Sequence, residues 1–199
     1  MKRSITLFSF FLFIASSAFA AQELYDVHVD AYPDPERVIE RSLPVCFDRA
    51  LIKNKEQSLE AKNTVNDILE VCERVAKLKG LTVVPSSKGR DCLHIGFEWE
   101  VSEAQRADNG ANSTCWRFYN AMFCSHRSAL QTLYGKGLKF NFFDNGFAPP
   151  RKVLEVQTSM TSEARGFRRH TAEVLCRAAF HDYPKKLKDK AYEVEPTLD

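Results

Sequence analysis

Two ionisable side chains in the middle of the chain have the types and the spacing of a catalytic or metal-binding pair. His94 and Glu98 belong to a segment in which polar and apolar residues alternate. Alternate residues of a β-strand project from the same face, so this pair would lie on one side of a sheet. A histidine beside a carboxylate can move a proton or hold a metal ion. His28, in another alternating segment, is a third candidate, and solvated side chains on an exposed face are the commoner alternative.

The second candidate is a compact group of basic residues in the last third of the chain. Its members are Arg165, Arg168, Arg169 and His170. They lie near the start of a predicted helix, where the helix dipole disfavours cations, and this raises the case for a functional role. Arginine can bind phosphate through two parallel hydrogen bonds, so the group is a candidate site for anionic glycan, phosphorylated lipid or an acidic partner. A solvated charged face is the alternative.

The third set consists of six cysteines. They are Cys46, Cys72, Cys92, Cys115, Cys124 and Cys176. An even number is typical of disulfides in an oxidising compartment, and the chain has no Cys-x-x-Cys pair and no Cys/His spacing of structural zinc. We therefore predict three disulfides, no metal and no cofactor. A hairpin around the polar loop at 102–114 would bring Cys92 to Cys124, and two helices lying side by side would bring Cys72 to Cys176; Cys46 would then take Cys115.

The first twenty residues have the pattern of a signal peptide. Basic residues precede an apolar run, Ile5–Ile14, and alanines stand at positions 18 and 20. The run is too short to cross a bilayer. We therefore predict cleavage after Ala20 and a periplasmic or secreted product with no transmembrane segment in the mature chain. It would have one α+β domain over 21–184 and a flexible charged tail over 185–199.

Cleavage would also make the chain electrically neutral. Two of its 28 basic residues and none of its acidic ones precede the predicted cleavage site, so 26 basic residues face 26 acidic ones. A neutral protein has no overall field that attracts nucleic acid. We expect an envelope or extracellular partner and no nucleic acid.

Hydrophobic periodicity predicts the elements that must position these residues. Alternation predicts strands at 24–29, 93–101, 137–144 and 153–160, and helical spacing predicts helices at 64–79 and 167–180. The segment 115–124 is predicted to form a strand that pairs back on 93–101. This order predicts an α+β, two-layer sandwich, with a mainly antiparallel sheet, two main helices on one face, and disulfides that brace it.

Three short segments carry a resemblance to a known class of domains. A helix ends Lys-Gly before a strand at Leu78-Lys79-Gly80-Leu81, a strand ends in an aspartate at 137–144, and a terminal helix ends before a proline at 180–184. Over Val65–Pro184 this order resembles small Gram-negative periplasmic or envelope α+β domains of the lipoprotein type, whose function is unknown. The chain departs from that class in its many cysteines and in lacking one suited to lipid attachment. The resemblance implies a location and a fold, and no activity.

Together these features favour an exported, non-catalytic protein that binds another envelope component, whether protein, glycan or lipid head group. The sequence has no nucleophile elbow, zincin helix, phosphate-binding glycine loop or calcium loop. The alternative is a secreted hydrolase that uses His94, Glu98 and His28. Convergence of these three side chains in a pocket would favour the enzyme, and separation on an open face would favour binding.

Overall fold

A computed structural model describes residues 24–53, 59–86, 92–103, 105–106, 114–118, 121–125 and 134–195. The predicted signal peptide lies outside the described residues. In chain order the elements are β1 (Tyr25–Pro33), β2 (Val45–Phe47), a 3₁₀ turn (Arg49–Leu51), α1 (Leu59–Leu78), β3 (Leu93–Glu103), β4 (Gln105–Arg106), β5 (Thr114–Phe118), β6 (Ala121–Ser125), β7 (Tyr134–Asp144), β8 (Arg151–Ser162), α2 (Arg169–Ala179) and β9 (Leu187–Val194).

Six strands form one mixed sheet in the order β2-β3-β7-β8-β1-β9. All neighbours pair antiparallel except β2, which runs parallel to β3. The two helices make a second layer, so the predicted α+β two-layer arrangement is confirmed. Among the described helices, none is long and apolar enough to cross a membrane.

One face of this sheet is apolar, and it contributes most of the core. Alternation along β3 and β7 buries Ile95, Phe97, Phe140 and Phe142 completely. Phe180, which follows α2, packs on Phe140 with 5.4 Å between the ring centroids. The period-two pattern therefore sets which side of the sheet the helices cover.

The helices are joined to each other by a disulfide between Cys72 of α1 and Cys176 of α2, which confirms that predicted pairing. Helical spacing puts both cysteines on buried faces. α1 ends at a glycine with positive φ, Gly80, and the N–H of Leu81 donates to the carbonyl of Ala76 at 3.0 Å. This is the left-handed cap expected where a helix turns at once into the next segment.

The region after β3 differs from the prediction. β5 and β6 pair with each other in a hairpin, and β3 pairs with β7 over its full length, so the predicted pairing of 115–124 with 93–101 is wrong. A hairpin that reverses between Phe118 and Ala121 closes a much shorter loop than one across 102–114, and short loops lose less chain entropy. β4, β5 and β6 form a separate three-stranded sheet.

The cysteine pairings that depended on the other hairpin are also wrong. Cys92 is bonded to Cys46, which excludes the predicted pairs Cys92–Cys124 and Cys46–Cys115. The cause is the parallel pairing of β2 with β3, which brings Cys46 beside the start of β3. In the β5–β6 hairpin, the register places Cys115 directly opposite Cys124.

The C-terminal segment is not a loose tail over the residues that the structure describes there. Leu187–Val194 forms β9 and pairs antiparallel with β1, so the predicted flexibility of 185–199 is wrong for these residues. Val194 is buried, and the hydroxyl of Tyr192 donates to Asp182 at 2.5 Å. Alternating charges suit an edge strand, because one side of such a strand faces water.

Candidate functional site

The three residues of the hydrolase hypothesis are not brought together. His94 and Glu98 lie on β3, whereas His28 lies on β1, and β7 and β8 run between these strands. Three strand spacings correspond to about 14 Å. Glu98 pairs with Lys53 at 3.4 Å, and His28 lies 3.6 Å from the carboxylate of Asp189. No single substrate atom could contact all three side chains.

His94 is buried, so its predicted position on a solvated face is wrong. Its exposed fraction is 5%, and its Nδ1 lies 3.1 Å from a carboxylate oxygen of Asp48. The chain after β2 continues along β3, where the N–H groups of Asp48 and Lys53 donate to Ile95 and Phe97. The 3₁₀ turn between them lies against the polar side of β3. The alternation of β3 was correct, but a neighbouring segment covers the face that it was expected to expose.

A second buried cluster surrounds the disulfide of β2 and β3. The sulfurs of Cys46 and Cys92 and a ring nitrogen of His94 lie within 4.8 Å of one another. Sequence reasoning missed this group because the cysteines are 46 residues apart and β2 was not predicted. The only signal was a pair of short patterns, Cys46-x-Asp48 and Cys92-x-His94, whose members share a face if both segments are strands.

The basic group at the start of α2 divides into structural and available members. The guanidinium of Arg169 binds Asp67 at 2.8 Å and Glu70 at 2.6 Å, which ties α2 to α1 and raises the pKa of Arg169. The ring of His170 packs edge-on against Tyr25, with 4.9 Å between centroids. Arg165 and Arg168 are exposed, and neither forms an ion pair with another described residue.

Lys136 of β7 joins this end of α2 from beneath, and sequence reasoning missed it. Its side chain points to the helix-covered face, only 1% of the residue is exposed, and its Nζ lies 3.3 Å from Oγ1 of Thr171. Among the described residues, no carboxylate pairs with this ammonium. Burial, and secondarily the charge of Arg168, lowers the pKa of Lys136 to about 8.

The backbone adds to this positive potential. Arg168 is the N-cap of α2, and its side chain makes no capping hydrogen bond. The first intrahelical bond runs from the N–H of Ala172 to the carbonyl of Arg168, so the earlier N–H groups have no intrahelical acceptor. The first turn also contains no acidic residue. A helix N-terminus, a buried ammonium and an exposed guanidinium together form a site whose chemistry suits an anion.

Comparisons with known proteins do not assign the chain to a family. No protein-family model matches it, and no curated protein matches it. Among solved structures, it is similar to the PelC dodecamer from Paraburkholderia phytofirmans, with 13% identity over 77% of this chain and 93% of that one and a TM-score of 0.45. It is also similar to a PDZ domain protein from Parabacteroides distasonis ATCC 8503, with 13% identity over 85% of this chain and 38% of that one and a TM-score of 0.49. These distant likenesses carry no function to this chain.

Proposed function

We propose that this is an exported, non-catalytic binding protein that holds a phosphate group of an envelope component at the N-terminal end of α2. The observation that carries the proposal is the buried ammonium of Lys136, which has no carboxylate partner among the described residues. A buried charge without an opposite charge is unfavourable in the unliganded protein. An anion bound above Lys136 would offset that penalty, so the unpaired lysine favours a bound anion.

The exposed residues around Lys136 fit a phosphate group in particular. Arg165 and Arg168 can each present two parallel N–H donors, and this fork matches the oxygens of a phosphate. The free N–H groups at the start of α2 point along the helix axis toward the same region. Lys136 would act through its charge from below, while Arg168 and the backbone make the contacts.

Export is the second part of the proposal. The two disulfides among the described residues are compatible with an oxidising compartment. The proposed signal peptide would be removed after Ala20, so mass spectrometry of the periplasmic or secreted protein should find Ala21 at the mature N-terminus. A retained apolar run would contradict this and indicate an N-terminal anchor.

A binding role is supported over hydrolysis by the separation of His94, Glu98 and His28 on different strands. General acid–base catalysis needs the groups within hydrogen-bonding reach of one substrate. Glu98 and His28 have local charged neighbours that account for them without a substrate.

Calorimetric titration with inorganic phosphate tests the proposal directly. We expect Arg168→Ala to weaken binding about tenfold to a hundredfold, since one charged hydrogen-bonding pair contributes about 1.5–3 kcal/mol. Lys188→Ala, which removes an exposed lysine of β9, is the matched control and should bind like the wild type. Equal affinity of all three proteins, or no binding, would contradict the proposal.

A second arm distinguishes the source of the phosphate. Flotation with phosphatidylcholine vesicles, with and without phosphatidic acid, should show binding only to the acidic vesicles if the ligand is a lipid head group. Binding of free phosphate without vesicle binding would indicate a soluble phosphorylated glycan or metabolite instead. Vesicle binding that Arg168→Ala leaves unchanged would place the membrane contact elsewhere and contradict the assigned site.

A further inference from the structure

The disulfide of Cys46 and Cys92 has neighbours that the other described disulfide lacks. Cys46 and Asp48 are two residues apart at β2, and Cys92 and His94 are two residues apart at β3. The parallel register pairs Cys46 with His94. Residues two apart on a strand and residues paired across strands project from the same face, so the backbone itself gathers all four.

The chemistry of this group is that of a metal site when the sulfurs are reduced. Two thiolates and one imidazole are ligands that thiophilic divalent cations prefer. The sulfurs and a ring nitrogen of His94 already lie within 4.8 Å of one another, and all three residues are buried. Two thiolates would neutralise a divalent cation, which permits burial of the ion without a net charge.

Asp48 supplies the outer partner that such a site needs. Its carboxylate lies 3.1 Å from Nδ1 of His94. A carboxylate that holds a ligating histidine fixes the orientation of the ring and makes it a better ligand. Among the described residues, Cys46, Cys92 and His94 form the only such group, so the bridge of Cys72 with Cys176 has no comparable surroundings.

We propose that the dithiol form of Cys46 and Cys92, together with His94, binds one thiophilic divalent cation of the zinc type, with Asp48 positioning the histidine. The disulfide and the metal exclude each other at this site. A small dithiol reductant would convert the bridge to two thiols and would itself become a disulfide, with transfer of two electrons and two protons. The cation then displaces both thiol protons. The site would therefore bind metal only under reducing conditions, independently of the phosphate site.

The test uses the whole chain, reduced in denaturant and refolded with a phosphine reductant, and Co²⁺ as the probe. We expect one Co²⁺ per chain with the absorption bands of thiolate ligation. His94→Ala should weaken Co²⁺ binding at least tenfold, and His94→Cys, which keeps a soft ligand, should restore it. Cys72→Ala/Cys176→Ala is the matched control, because it removes the other bridge and should leave Co²⁺ binding unchanged.

A second readout needs no variant. Zn²⁺ should protect Cys46 and Cys92 of the reduced wild-type protein from alkylation more than Cys115 and Cys124, as mapped by mass spectrometry. Absence of thiolate bands, equal protection of all four cysteines, or Co²⁺ binding that persists without Cys46 and Cys92 would overturn the proposal. Failure of the reduced protein to fold, with or without Zn²⁺, would overturn it as well, since no preformed site would then exist.

Discussion

Lys136 shows how a single residue links stability to binding. Its folded-state pKa is about 8, below the 10.5 of the unfolded chain, because burial disfavours its charged form. Between these values the unfolded chain binds more protons, so stability rises with pH from about 8 to 10.5. Below pH 8 the full penalty is present. The shift corresponds to about 3 kcal/mol, as an order of magnitude.

The first prediction follows from that sign. Lys136→Met should raise the free energy of unfolding at pH 7 in buffer without phosphate, because it removes the buried charge and keeps an unbranched side chain. The gain over wild type should shrink as the pH rises toward 10.5. Urea unfolding of both proteins at pH 7 and at pH 9.5 measures this. A variant less stable than wild type at pH 7 would mean that the ammonium has a stabilising partner.

Residue positions were harder to predict than residue types. The basic group at 165–170 was recognisable from composition, but which members are available depends on α1, whose Asp67 and Glu70 bind Arg169. Lys136 precedes the predicted strand at 137–144, so its burial was not foreseen. His94 was placed on the correct side of β3 but not in the correct environment. Each error has the same origin, because contacts made by distant segments are not encoded in local periodicity.

At the scale of elements, Gly96 is the position that lets the 3₁₀ turn lie against β3. A Cβ at Gly96 would lie 2.4 Å from the carbonyl oxygen of Leu51, which is too close for backbone that cannot rotate away. The second prediction is that Gly96→Ala destabilises the protein by about 1–3 kcal/mol. Gly166→Ala is the control, because a Cβ there meets nothing within 4 Å, and it should change stability by less than about 0.5 kcal/mol. Thermal unfolding of the two variants compares them, and equal midpoints would contradict the described approach of the turn.

The elements themselves were largely predictable where the period was long and clean. The helix at 64–79 and the strands at 93–101, 137–144 and 153–160 all correspond to observed elements, with ends that shift by a few residues. Their pairing was not predictable to the same degree. β2 has only three residues, too few to show a period, yet its parallel pairing with β3 decides the partner of Cys92.

At the scale of the whole molecule, β9 completes the six-stranded sheet. It covers the edge of β1, and its last residue, Val194, is buried. The third prediction is that a chain ending at Lys186 loses more than about 2 kcal/mol of stability, because it loses a full strand pairing and the contact of Tyr192 with Asp182. Lys188→Ala, which changes only an exposed side chain, should have little effect. Urea midpoints measure both, and a truncated chain as stable as the intact one would support the flexible tail that the charge pattern predicted.

The fold class was predictable because alternation, helical spacing and element order all point to one layered arrangement. The binding site was only partly predictable, since it combines Arg168 from the recognised basic group with Lys136 from a strand more than thirty residues earlier. It exists only because β7 passes beneath the start of α2.

The central claim is that Lys136 and the start of α2 bind phosphate, and thermal unfolding in low phosphate tests it most directly. Ionic strength must be matched with chloride, since high phosphate stabilises most proteins by exclusion from their surfaces. At a hundredfold excess over Kd, binding should stabilise the wild type by about 2.7 kcal/mol, and Lys136→Met, although more stable without ligand, should gain far less. A phosphate-dependent rise of the wild-type Tm that is much reduced in Lys136→Met is the predicted result; no rise, or the same rise in both proteins, would contradict the account.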